Sequence, residues 1–153
     1  MVGPKTDESG ADGKLYCMVP NRPGDIDPDG HYYVERPNYR PEIPPGQARV
    51  RVLIGKVANM RRLVQTIHTA PWRNEALGMD CAEWVQTVLE TLRTKRSIMG
   101  TSALDWQTIR ATGMEFIRRK VDVRRFDAET RATNADFLYL PTYDLLQDRE
   151  TIA

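Results

Sequence analysis

The chain has 153 residues, of which 41% are hydrophobic and 28% charged, with 22 basic against 21 acidic side chains for a formal charge of +1. That length suits a single domain over residues 1–153 that buries roughly 70% of the surface of its unfolded form. The composition excludes a disordered chain, a disulfide-dense secreted scaffold and a globally basic nucleic-acid binder, and no run reaches the ~18 apolar residues of a membrane span.

Without a basic-then-apolar leader the chain is expected to be cytoplasmic. Residues 1–13 begin unusually, because Met1-Val2-Gly3-Pro4-Lys5 has the look of a strand end running into a turn, as though a first strand were truncated. A strand edge left open in this way would pair with a second chain, giving a homodimer. Lys14 to Val19 alternates as a strand stopped by Pro20, and residues 21–30, with two prolines, two glycines and three aspartates, form a loop. His31-Tyr32-Tyr33-Val34-Glu35 is a second short strand closed by Pro37. Residues 37–47 contain Pro37, Pro41, Pro44 and Pro45 and are expected to be an extended connection, since proline lacks the donor that a helix or central strand needs.

Arg49-Val50-Arg51-Val52-Leu53-Ile54 then places Val50, Val52 and Ile54 on one face and arginines on the other, the period-two pattern of a half-buried strand. From Asn59 the period changes. Met60, Leu63, Val64 and Ile67 predict a helix over 59–69 that ends before Pro71. After a loop over 71–79, Asp80 is a good N-cap for a helix over 80–96. Its apolar residues Cys81, Trp84, Val85, Val88, Leu89 and Leu92 fall at i, i+3, i+4, i+7, i+8 and i+11, which puts Cys81 on the buried stripe. A third helix over 102–121 would start at Ser102-Ala103-Leu104-Asp105, an approximate capping box, with Trp106, Ile109, Gly113, Phe116 and Ile117 on its apolar face. The tail residues Phe137, Leu138, Leu140, Tyr143, Leu145 and Leu146 pack around Pro141 as a short extended segment. These elements predict an α+β fold, a small antiparallel sheet from the N-terminal half against three helices.

Chemistry concentrates at Cys81. The first turn of a helix presents unpaired N–H groups and the positive end of the macrodipole, which favour a thiolate over a thiol. Free cysteine is also among the most buried residue types, so a small core residue is the competing reading. Asp80 cuts both ways, capping the helix while placing a negative charge beside the thiol. Only His31 and His68 could serve as an imidazole base. His68 sits near the C-terminal end of its helix, where histidine is common for dipole reasons; His31 opens a strand that could aim at the thiol. Trp84, one turn on from Cys81, is a core residue by default and the floor of a pocket if the thiol is catalytic. Cys17 and Cys81 are expected to be free thiols. Two Cys and two His spread from 17 to 81 show no paired metal-ligand spacing, so no zinc site is expected. Neither nucleotide fingerprint is present, so no cofactor is expected. Arg110, Arg118, Arg119, Lys120, Arg124 and Arg125 crowd one segment, which reads as a solvated helix face and not as a nucleic-acid surface.

Asp80-Cys81-Ala82-Glu83-Trp84-Val85, preceded by a strand ending in Val2-Gly3 and a second strand over Lys14 to Pro20, resembles the LRAT-like (lecithin:retinol acyltransferase-like) branch of the papain-like thiol fold. There the matching segment reads Asn-Cys-x-x-Phe-Val. The whole chain, including Arg51-Val52-Leu53-Ile54, Gly100 to Trp106 and Pro141 to Leu146, is also similar to small uncharacterised fungal proteins. The thiol-fold resemblance implies a papain-like arrangement and a hydrolase or acyltransferase in which Cys81 attacks an acyl or amide carbonyl. The family's base histidine would lie just before Met1, where this chain has none, and Cys17 stands where the family places a second, orienting polar residue. Three readings remain: a shortened version of a longer protein, a chain that has lost the chemistry, or one in which His31 has taken over as base. Trp84, Cys17 and Tyr33 are then the candidate substrate contacts. The alternatives are a non-catalytic domain binding a small molecule or a protein partner, and a pathway isomerase or cyclase using Asp105, Tyr33 and Glu35 as acid-base groups.

Overall fold

The computed structural model describes residues 13–20, 31–39, 50–71, 81–127 and 140–152. The fold is α+β, and the described residues form three helices and three small sheets in two compact units, one comprising Met1–Arg40 and Asn59–Lys95, the other Pro41–Ala58 and Arg96–Ala153.

In the first unit, strands β1 (Gly13–Pro20) and β2 (His31–Tyr39) pair antiparallel, in a register running from Leu15 opposite Arg36 to Pro20 opposite His31. The second strand runs through Pro37, where the sequence predicted its end. Between the Gly13–Tyr39 and Leu15–Arg36 rungs, β1 contributes Lys14 alone while β2 contributes Pro37 and Asn38. The proline thus falls in a bulge, one of the few places in a sheet where a missing N–H is tolerated.

Helix α1 (Met60–Thr69) starts where an asparagine predicts it: the Asn59 side chain accepts from the Arg62 N–H at 3.0 Å. It buries Leu63, Thr66 and Ile67 and gives way at Ala70 to Pro71, which cannot continue the ladder. Helix α2 (Cys81–Thr94) packs against both α1 and β1, and its buried residues are Trp84, Val88, Leu89 and Leu92. Tyr16 of β1 is buried as well, and its ring meets His68 of α1 edge-on at 6.0 Å. Along α2 the hydroxyls of Thr87, Thr91 and Thr94 return to carbonyls three or four residues back, which satisfies them within the helix.

The second unit contains β3 (Arg51–Leu53), β4 (Gly55–Val57), β5 (Met99–Ser102), α3 (Trp106–Asp122), β6 (Thr142–Asp144) and β7 (Arg149–Ile152). Here the expected antiparallel sheet is corrected. β3 pairs in parallel with β6, β6 pairs antiparallel with β7, and β4 pairs antiparallel with β5 as a separate two-stranded sheet. Parallel pairing needs a long crossover, and the chain between β3 and β6 supplies one that contains all three helices. The expected extended tail is therefore two strands, β6 and β7, and its Phe137 and Leu138 lie outside the described residues.

The start of the third helix is also corrected. Residues 99–102 form a strand because the Gly55–Val57 edge pairs with them, and Asp105, not Ser102, is the N-cap. The Asp105 carboxylate accepts from the Thr108 N–H at 2.8 Å and the Thr108 hydroxyl at 2.7 Å. Helix α3 packs on β3 at Gly113, where an added Cβ would stand 3.6 Å from Val52 Cγ2. Its core residue is Phe116, fully enclosed, and the unit also buries Ile98, Leu140, Pro141 and Thr142.

Candidate functional site

The sequence concentrates its chemistry on the first turn of α2, and the structure corrects one expectation there. Cys81 is exposed and free, not buried on the apolar stripe, and Val85 is exposed with it. Periodicity fixes an angle around a helix axis, and burial also requires a neighbour at that height along the axis. On α2 the enclosed stretch begins at Trp84, 3% exposed, and continues through Val88, Leu89 and Leu92. Cys81 has the angle of the core but lies at the open end. At the first position of α2 it stands at the positive end of the helix dipole. Asp80, its expected cap, lies outside the described residues.

Trp84 is the one candidate substrate contact whose side chain the structure describes, and its burial in the first unit is what a core residue shows. The other two candidate contacts and the candidate base His31 are placed by strand register alone. Cys17 lies opposite Val34, Tyr33 opposite Met18 and His31 opposite Pro20 at one end of the β1–β2 pair. All belong to the unit that contains Cys81, and α2 packs against β1, the partner of the strand that His31 opens. His68, the other imidazole, is an exposed residue in the last turn of α1 whose ring contacts Tyr16. Asp105 is occupied as the α3 cap.

The second unit contains a polar cluster that sequence reading assigned to a solvated face. Lys120, 9% exposed, pairs with Glu150, and its ammonium lies 5.4 Å from the Phe116 ring centroid. Arg119 stands over both the Phe116 and Tyr143 rings at 5.4 and 5.5 Å. The Tyr143 hydroxyl donates to Asp148 at 2.7 Å, and that hydrogen bond, with desolvation and the Asp148 charge, holds the phenol above its ordinary titration range against the opposing pull of Arg119. Arg51 donates from Nε to the buried Thr142 hydroxyl at 2.9 Å, so this arginine is half-buried and engaged, not on the solvent face that alternation assigned to it. The sequence signal for Lys120 was its i+4 spacing from Phe116; Glu150, thirty residues on, carried none. Among the described residues, Arg118 pairs with Glu115 and Arg124 with Asp127, no group of three or more His, Cys, Asp or Glu gathers as a metal site, and no helix is long and apolar enough to cross a membrane.

With this geometry in place, comparison with known families is decisive over nearly the whole chain. The protein belongs to DUF6914, a family of unknown function. The match to DUF6914 covers residues 1–152, so both compact units fall inside it. No curated protein and no solved structure matches the chain.

Proposed function

We propose that this protein is a diverged papain-like thiol protein of LRAT-like descent, acting in the cytoplasm as a hydrolase or acyltransferase through Cys81. The observation that carries the reading is a free, solvent-open cysteine at the first position of a fourteen-residue helix. In this chemistry the Cys81 sulfur attacks an acyl or amide carbonyl, and the positive end of the α2 dipole favours the tetrahedral oxyanion that forms. His31 takes the thiol proton and returns it to the leaving alcohol or amine, leaving a thioester on Cys81. Water then regenerates the thiol in a hydrolase, and an acceptor hydroxyl or amine does so in a transferase. Cys17 and Tyr33 are the proposed substrate contacts, and Trp84, enclosed in the core, supports the start of α2 from within.

The test is capture of the acyl intermediate. The purified protein is mixed with p-nitrophenyl esters of short and long fatty acids and quenched in acid, and the site of acylation is read by peptide mass spectrometry. The expected result is a thioester on Cys81 that turns over, with release abolished in Cys81→Ala and slowed at the acylation step in His31→Ala. Equal release by wild type and Cys81→Ala refutes the thiol reading, and release by both at the rate of buffer alone leaves a non-catalytic binding domain in its place.

A further inference from the structure

We draw no further inference here: the strongest candidate, the exposed apolar ridge of Met114, Val121 and Val123 along and just beyond α3 in the second unit, carries nothing because nothing in the structure shows what covers it, the acidic Glu115, Asp122 and Asp127 standing among its arginines.

Discussion

Removing the Glu150 carboxylate should cost this protein more than removing the Lys120 ammonium that it holds. The Lys120 side chain is 11% exposed and that of Glu150 is 32% exposed, so the two partners face different alternatives when the pair is broken. In Glu150→Ala the ammonium stays enclosed beside Phe116 without its anionic acceptor. A lost hydrogen bond to a charged group costs about 1.5 to 3 kcal/mol; water entering where the glutamate was should bring this to about 1 to 2 kcal/mol. In Lys120→Met the apolar stem is kept, and the glutamate, already about one-third open, is hydrated in place, so the expected cost is about 0 to 1 kcal/mol. The double variant should match Lys120→Met, which makes the coupling equal to the cost of Glu150→Ala alone, about 1 to 2 kcal/mol. Urea unfolding of the four proteins, followed by amide circular dichroism at low and high salt, measures it. A coupling within the ~0.3 to 0.5 kcal/mol scatter of independent sites, or equal losses in the two single variants, would refute the account of Lys120 as the buried partner.

Phe116→Ala removes the fully enclosed side chain at the centre of the second unit and should cost about 3 to 5 kcal/mol; a small change in the unfolding midpoint would show that this core is not packed as described. Gly55→Ala places a Cβ 2.8 Å from Met99 Cε and 2.9 Å from Ser102 Cβ, so it should lose about 1 to 3 kcal/mol, whereas Gly100→Ala, 3.5 Å from the nearest atom, should be close to neutral. Equal thermal shifts for the two glycine variants would contradict the β4–β5 register. Tyr143 is held protonated above its ordinary value of 10.0, mainly by donating to Asp148. Its raised folded value means that the contribution to stability is fully present below the unfolded pKa of ~10 and is lost as pH rises through the folded value. Asp148→Asn should therefore move the Tyr143 phenolate absorbance step back toward 10.0, with Tyr143→Phe identifying that step among the six tyrosines. An unmoved step would sever the proposed link. Cys81→Ala, at an exposed position, should unfold within ~0.5 kcal/mol of wild type, so that any loss of acyl transfer reads chemistry and not folding.

The helices were legible where local signals agree. Asn59 before an apolar-periodic run, with Pro71 after it, marks both ends of α1 without reference to anything distant. The third helix shows how two local signals of equal strength mislead: Ser102 and Asp105 are both good caps, and the choice between them is made by a strand more than forty residues upstream. Gly55 opposite Ser102 and Val57 opposite Met99 draw residues 99–102 into β5, and Asp105 is left to cap. The same non-local logic hid the sheet order. Val50, Val52 and Ile54 announce a strand, but nothing in them names residues 142–144 as its partner or makes the pairing parallel.

The candidate site divides along the same line, and Cys81 shows why its two sequence readings could not both hold. A first-turn residue sits at the positive end of the helix dipole, and at that end of α2 the cysteine side chain is open to solvent. A burial stripe, by contrast, is enforced only where another element lies alongside, which on α2 begins at Trp84. The exposure of Cys81 is thus the structural half of the proposed thiol chemistry, present because the helix starts there. The proposed base comes from elsewhere in the chain: His31 belongs to the same unit through the pairing of β2 with β1 and the packing of β1 on α2, a relation no spacing in the sequence encodes. A cycle of Cys81→Ala and His31→Ala tests that relation directly. If the two act as one device, p-nitrophenol release by the double variant should stay at the background rate of Cys81→Ala; release above buffer in Cys81→Ala that the second substitution removes would mean that His31 acts by another route.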